Sequence, residues 1–230
     1  MTQEEYSTIS KEIQEWPPGI VSVASGFLGR YREFDVCLHH LLVPPGTHVE
    51  WALGVNIAFN FNEGIRAMLA GNFGWIWFLG DDHTFNPELL YILMKHNVDV
   101  VAPIVLKRSS SFKTVISENM DLGFKSVNLE EVENWHGLVD ITHRNVGNAG
   151  LLAKRKVFEI MPPPWFENGK THPEFGGSDL WFCEKLRRAG FKIYVDSDQS
   201  MGHITHAFFW IGRDQETGKL KPDIRMVDGW

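Results

Sequence analysis

The chain has 230 residues, of which 43% are hydrophobic and 22% charged, so it is long enough for one large globular domain. Its net charge of −7 argues against a broad attraction to nucleic acid or anionic membranes, and its two cysteines, Cys37 and Cys183, argue against a disulfide framework. Because no apolar run is long enough to span a membrane and the N-terminus lacks a signal peptide, we expect a soluble, cytoplasmic protein.

The N-terminal half alternates between strand and helix patterns after a polar leader, residues 1–19. The continuous apolar run WIWFL, 75–79, is typical of a central parallel strand covered on both faces. Asn86 is expected to cap a helix that begins at Pro87. The further elements are predicted at 20–25 (strand), 33–42 (helix), 48–53 (strand), 60–70 (helix) and 99–106 (strand). This order predicts an α/β fold with a doubly wound sheet.

The C-terminal half is less regular in its first part. Residues 107–145 are polar and predict a long excursion with short antiparallel strands. Ser178 or Asp179 is expected to cap a later helix, and FKIYV, 191–195, predicts a strand after it. We expect one domain over 20–211, followed by a polar C-terminal arm over 212–230.

Two adjacent carboxylates, Asp81 and Asp82, follow the strand WIWFL. In α/β sheets, ligands bind outside the carboxyl ends of the strands. Adjacent carboxylates repel each other, and a pair held at a strand end is commonly balanced by a cation such as Mg2+ or Mn2+. The alternative is a solvated turn beside a helix cap, and the motif by itself favours neither interpretation.

His203 is a second candidate metal ligand. It follows the predicted strand FKIYV, so it could converge with Asp82 at one edge of the sheet. A single histidine is more often structural than a ligand, and the chain has no HExxH signature, so a zinc hydrolase is poorly supported.

Asp179 also has two interpretations. It is either a helix cap or a general base that removes a proton from an attacking hydroxyl. The glycine-rich segments match neither a Walker A loop nor a GxGxxG fingerprint, which argues against an ATPase and against a nicotinamide-dependent dehydrogenase.

Three segments in this order resemble glycosyltransferases of the GT-A fold, especially those similar to glycosyltransferase family 2. They are DDH at 81–83, GNAGLLAKRKVFE at 147–159 and GGSDLWFCEKLRRAGFKIYVDSDQSMGHI at 176–204. The resemblance covers roughly 20–204. It implies a single-domain, Rossmann-like mixed sheet, mostly parallel and flanked by helices, with a nucleotide-binding half at 20–106 and an acceptor-binding half at 107–211.

The resemblance also implies roles for the acidic residues and the histidine. Asp82 corresponds to the main ligand of the Mn2+ or Mg2+ ion, and Asp81 to its partner toward the metal or the ribose. His203 resembles the C-terminal metal ligand of the family. Asp179 resembles the catalytic base of an inverting enzyme.

Other positions correspond to the binding of the nucleotide-sugar. Ser25, after the first strand, would meet the nucleotide. Asn62 and Arg66 resemble a polar helix face that points at the nucleotide, and Asn148 and Gly150 would lie near the donor sugar or the acceptor. Five aromatic residues are interpreted first as core and otherwise as a stacking platform for the acceptor, namely Trp165, Phe166, Phe208, Phe209 and Trp210.

The sequence departs from the family pattern at two points. In one register Gly80 replaces the first aspartate of the DxD motif, and Ser178-Asp179 stands in place of Glu-Asp. The resemblance implies a metal-dependent transfer of a sugar from a UDP- or GDP-sugar to an acceptor hydroxyl. A nucleotidyltransferase, faintly indicated by VASGFLGRYR at 23–32, and a non-catalytic nucleotide- or glycan-binding module stay open. The compact length resembles small phage or bacterial versions of the family.

Overall fold

The structure is a computed structural model, and it describes residues 2–26, 30–54, 56–108, 113–120, 123–167, 177–204 and 207–226. Its helices are α1 (Gln3–Glu12), α2 (Arg32–His40), α3 (Ile57–Ala70), α4 (Leu89–Lys95), α5 (Leu129–Val132), α6 (Arg155–Ile160) and α7 (Ser178–Arg188). None of the helices in these ranges combines the length and apolarity needed to cross a membrane.

The strands alternate with these helices in the N-terminal half and dominate the C-terminal half. They are β1 (Ile20–Ser25), β2 (His48–Leu53), β3 (Trp75–Gly80), β4 (His83–Thr84), β5 (Val100–Val105), β6 (Ser117–Met120), β7 (Gly123–Ser126), β8 (Leu138–Asp140), β9 (Leu152–Lys154), β10 (Tyr194–Ile204), β11 (Ala207–Arg213) and β12 (Leu220–Met226).

One large mixed sheet organises the described chain. Its strand order is β12-β11-β10-β5-β9-β3-β1-β2, and β4 and β8 each pair with β10. Strands β2, β1, β3, β5 and β10 point in one direction, and β9 runs antiparallel between β3 and β5. The predicted fold class, a mostly parallel central sheet flanked by helices, is confirmed. Strands β6 and β7 form a separate antiparallel hairpin within the predicted excursion.

The central strands bury apolar side chains on both faces. Alternate residues point to opposite sides of a strand, so Trp77 packs with Phe34 of α2 whereas Phe78 packs with Phe61 of α3. The continuous apolar run WIWFL follows from this double coverage, as predicted. Helix α3 comes so close to β1 that a Cβ on Gly64 would lie 2.1 Å from Ser22 Oγ.

Two predicted helix caps are wrong. Helix α4 begins at Leu89, and Leu89 N donates to Asn86 O at 3.1 Å, so Asn86 and Pro87 lie in a turn before the helix. Helix α7 begins at Ser178 with Gly177 as its N-cap and without a side-chain cap. Helix α4 thus begins two residues later than predicted, and α7 one or two residues earlier, because tertiary context overrides weak local preferences.

The C-terminal segment contributes to the sheet. Residues 212 and 213 belong to β11, and β12 pairs antiparallel with β11, so the segment predicted as a polar arm forms an edge of the sheet. Its polar composition is compatible with an edge strand, because Lys221 and Pro222 are exposed there.

Candidate functional site

The candidate site lies at the carboxyl edge of the parallel strands. Asp81 and Asp82 follow β3 directly, and His203 lies near the end of β10. Strand β4 pairs antiparallel with β10 so that His83 stands opposite His203, and Ile204 N donates to Asp82 O at 2.7 Å. His203 therefore belongs to the long strand β10 instead of following it, and backbone pairing brings it to Asp82.

Asp82 is surrounded by nitrogen atoms. Its Oδ1 lies 2.8 Å from His83 Nδ1, and its Oδ2 lies 3.3 Å from His203 Nε2 and 3.1 Å from an Nη1 atom of Arg108. Burial would raise the pKa of Asp82, but hydrogen bonds with His203 and His83 outweigh it and hold that pKa well below its ordinary value. Asp82 is therefore a carboxylate at neutral pH.

His203 is oriented as histidines are in metal sites. Its Nδ1 lies 2.9 Å from Leu106 O, and a carbonyl oxygen can only accept, so Nδ1 carries the proton. In the imidazolium form, Nε2 also carries a proton and donates it to Asp82 Oδ2, whereas in the neutral form Nε2 presents a lone pair to that oxygen. Two acceptors that face each other need a proton or a cation between them, and a carbonyl behind the ring is the usual support of a metal-bound histidine. The residues present fit a divalent cation.

His83 completes the group. Its ring stacks on that of His203 with centroids 4.4 Å apart, and its buried Nε2 has no hydrogen-bond partner in the described structure. Candidate ligand atoms of Asp82, His83 and His203 lie within 4.8 Å of one another. The sequence analysis gave a metal role to Asp82 and His203 but not to His83, because register with β10 cannot be inferred from DDH alone.

Asp81 points to a different neighbour from Asp82. Ser25 Oγ donates to Asp81 Oδ2 at 2.5 Å, and Gly26 N donates to the same oxygen at 3.3 Å. Asp81 is thus held against the carboxyl end of β1, and it is not part of the cluster formed by Asp82, His83 and His203 in the described residues. The two adjacent carboxylates are separated, which relieves their repulsion.

Gly80 leaves room for the Asp82–His83 pair. A Cβ at this position would lie 2.7 Å from Asp82 Oδ1 and 3.1 Å from His83 Nδ1. A side chain at position 80 would therefore displace the side chains of Asp82 and His83 from their observed positions.

A cleft of about 620 Å3 extends from the candidate ligands to Asp179. Asp82, His203, Asn148 and Asp179 all line it, although they are far apart in the sequence. Asn148 is buried, and its side-chain oxygen has no hydrogen-bond partner in the described structure. The cleft thus collects four of the predicted site residues.

Two basic residues on the cleft wall, Lys107 and Arg108, were missed by the sequence analysis. They follow β5, whose carboxyl end lies at the same edge of the sheet as that of β3. The strand-end argument used for Asp82 would have identified them, had it been applied to every predicted parallel strand.

Asp179 lies in the first turn of α7. Its Oδ1 accepts from Leu180 N at 3.0 Å. Burial raises the pKa of Asp179, and the nearby positive charge of Lys107 lowers it by a smaller amount. A carboxylate with a raised pKa inside a cleft is suited to accept a proton.

Besides Ser25 and Asp81, three predicted binding residues do not line the cleft as defined by the described residues. Asn62 is buried, donates to Phe166 O at 2.8 Å and accepts from Trp165 N at 3.0 Å. Arg66 is exposed and pairs with Glu63 on the helix surface. For Gly150, φ is +74° and an added Cβ would lie 2.4 Å from Met201 Sδ, so its role is close packing.

The aromatic residues predicted either as core or as a stacking platform also differ in their surroundings. Trp165 and Phe166 are buried in the core, as their first interpretation predicted. The side chains of Phe208 and Phe209 lie outside the described part of the chain, and so do residues 27–29 of the segment that faintly indicated a nucleotidyltransferase.

Comparison with known proteins gives a fold but no sequence family. No family model matches the chain, and no curated protein matches it. The crystal structure of A197 from STIV superposes with a TM-score of 0.58 at 15% identity, covering 92% of this chain and 95% of that one. GalNAc-T7, in a structure with UDP, GalNAc and Mn2+, gives a TM-score of 0.55 at 9% identity, covering 89% of this chain and 53% of that one.

The chain has a GT-A-like fold. The candidate cluster of this GT-A-like protein lies at the strand edge where α/β sheets bind their ligands. At these identities the likeness concerns the fold, and the chemistry has to be argued from the residues themselves.

Proposed function

We propose that this protein is a metal-dependent glycosyltransferase that moves a sugar from a UDP- or GDP-sugar to an acceptor hydroxyl. The observation that carries the proposal is the approach of His203 Nε2 to within 3.3 Å of the Asp82 carboxylate, in a cleft that also holds Asp179. Mn2+ or Mg2+ would be the cation, and glycosyltransferase family 2 is the group whose motifs support the assignment.

Asp82, His203 and His83 would hold the cation. When bound, a divalent cation neutralises the charge that builds up on a departing diphosphate. Asp81, which Ser25 holds at the end of β1, would accept hydrogen bonds from the nucleotide, for example from ribose hydroxyls. Asn148 would contact the donor sugar or the acceptor, because the residue lines the cleft and its side-chain oxygen has no hydrogen-bond partner in the described structure.

Asp179 would remove the acceptor proton as the hydroxyl attacks, if the reaction inverts the anomeric carbon. Its support is its place on the cleft wall and its raised pKa. The positive charge of Lys107 opposes the rise in the pKa of Asp179.

The test is the release of nucleoside diphosphate from a panel of UDP- and GDP-sugars with and without Mn2+. Donor hydrolysis serves as the first readout, because it needs water alone as the acceptor. Asp82→Asn should reduce the metal-dependent release by about 100-fold or more. Asp99→Asn is the matched control, since Asp99 pairs with Lys156 at 2.7 Å, at the start of β5 and away from the cleft. Equal release by wild type and Asp82→Asn would refute the assignment.

The same assay separates the alternatives. A nucleotidyltransferase would release pyrophosphate from a nucleoside triphosphate. A binding module would bind UDP and Mn2+ without turnover across a broad acceptor panel. Cytoplasmic location and phage or bacterial origin stay predictions from the sequence.

A further inference from the structure

Arg108 reaches the same carboxylate oxygen as His203. An Nη1 atom of Arg108 lies 3.1 Å from Asp82 Oδ2, and His203 Nε2 lies 3.3 Å from it. Arg108 can only donate, so it bonds Oδ2 whichever ring nitrogen of His203 carries a proton. The Arg108 side chain is 45% exposed, compared with 20% for Asp82. Arg108 thus places a permanent positive charge beside the Asp82 carboxylate in this structure.

The backbone before Arg108 is fixed. Lys107 N donates to Lys113 O at 2.8 Å, and Val115 N donates to Val105 O at 2.9 Å. Backbone hydrogen bonds therefore hold the main chain in place as far as Lys107. Arg108 is the next residue, so a turn of its long side chain is enough to carry the guanidinium from one anion to another.

We propose that Arg108 is an exchangeable counter-ion, which neutralises Asp82 when no divalent cation is bound and moves to the diphosphate when cation and nucleotide bind. The second half rests on the proposed function, because that function supplies the diphosphate. The first half depends only on the Asp82 site.

The exchange is chemically reasonable for two reasons. A half-exposed ion pair is weak, and Asp82 keeps His83 at 2.8 Å when Arg108 leaves. A guanidinium also matches phosphate oxygens with two parallel N–H donors, which favours a diphosphate over a carboxylate already shared with an imidazole. Arg108 would then oppose cation binding alone and favour the binding of cation and nucleotide together.

Titration calorimetry with Mn2+ and then with UDP tests the exchange. Without nucleotide, Arg108→Gln should bind Mn2+ roughly two- to fivefold more tightly than wild type, because a competing cation is removed. At saturating Mn2+, the same variant should bind UDP about tenfold more weakly, because a charge-assisted contact is lost. Lys125→Gln is the matched control; it removes an exposed lysine of β7 that pairs with Glu131 at 3.8 Å, and both affinities should stay at the wild-type value.

Opposite shifts of the two affinities are the signature of exchange. Unchanged Mn2+ affinity in Arg108→Gln overturns the competition, and unchanged UDP affinity overturns the transfer. If neither wild type nor Arg108→Gln binds Mn2+, both the exchange and the metal-dependent function are wrong. If both shifts occur but no nucleotide-sugar is turned over, the exchange stands and the transferase assignment fails. Circular dichroism spectra of each variant verify that the fold is intact.

Discussion

Gly80 shows how a single residue can change the meaning of a motif. A DxD motif places its first aspartate where this chain has no side chain at all. The Asp82 side chain lies in the space that a side chain at position 80 would need, since a Cβ there would be 2.7 Å from Asp82 Oδ1. The candidate ligands are Asp82, His83 and His203, and Asp82 uses the space that a side chain at position 80 would fill.

Restoring the aspartate should weaken the site. In Gly80→Asp and Gly80→Ala, the new Cβ pushes Asp82 and His83 out of position, and Mn2+ affinity should fall by roughly tenfold, as for other changes that misplace a ligand. Calorimetry measures the affinity. Gly26→Ala is the control, since a Cβ there has no neighbour within 4 Å. A higher Mn2+ affinity in Gly80→Asp would show instead that the DxD register is the functional one.

The role proposed for Asp179, that of general base, predicts how the reaction rate depends on pH. A general base works when deprotonated, so kcat/KM should fall as pH decreases through the pKa of Asp179. Burial raises that pKa, so the fall should begin at higher pH than for an ordinary aspartate. Lys107 opposes the shift, and Lys107→Gln should move the acidic limb to still higher pH.

The profile is measured with a UDP- or GDP-sugar that the enzyme turns over. Lys156→Gln removes a lysine that pairs with Asp99, away from the cleft, and should leave the limb in place. An acidic limb that does not move in Lys107→Gln would mean that the titrating base is not Asp179.

At the level of elements, α3 is tied to the 165–166 segment by one side chain. Asn62 uses its amide nitrogen for Phe166 O and its amide oxygen for Trp165 N and Phe166 N. These atoms are buried, so no water can replace the amide if it is removed. The family resemblance assigned Asn62 to the nucleotide, and nothing in the local sequence shows that this amide is buried against the 165–166 segment.

Asn62→Leu should destabilise the fold by about 2 kcal/mol or more, because buried backbone groups of the segment lose their partners. Urea unfolding measures the loss of stability, provided that the free energy of unfolding depends on urea concentration with the same slope in both proteins. Under conditions in which Asn62→Leu is folded, it should bind UDP with the wild-type affinity. Arg66→Gln, on the exposed face of the same helix, should change the stability by less than about 0.5 kcal/mol. A loss of UDP affinity in Asn62→Leu with unchanged stability would restore the nucleotide contact.

The sequence predicted the elements that end at the site better than the contacts within it. Apolar runs located β1, β3 and β5, and the strand-end rule then placed Asp82 correctly. The β4–β10 pairing, which sets His83 opposite His203, depends on strand register over 120 residues of intervening chain and has no local signal. The N-terminus of α4 moved for a similar reason, because packing against the sheet decided where the helix begins.

At the scale of the whole molecule, the mixed sheet explains why distant residues meet. Strands β3, β5 and β10 end at one edge, and each contributes residues to the cleft. A net charge of −7 is compatible with an anionic ligand there, since Lys107 and Arg108 supply local positive charge. The GT-A-like fold thus provides the position of the site, and the residues at the strand ends provide its chemistry.

The most direct test is a crystal structure with UDP and Mn2+, with the anomalous signal of manganese used to locate the ion. The account predicts an anomalous peak bonded to Asp82 and His203 Nε2, with the diphosphate beside it in the cleft, and no peak there in Asp82→Asn. A manganese peak away from Asp82 and His203, or UDP bound outside this cleft, would contradict it.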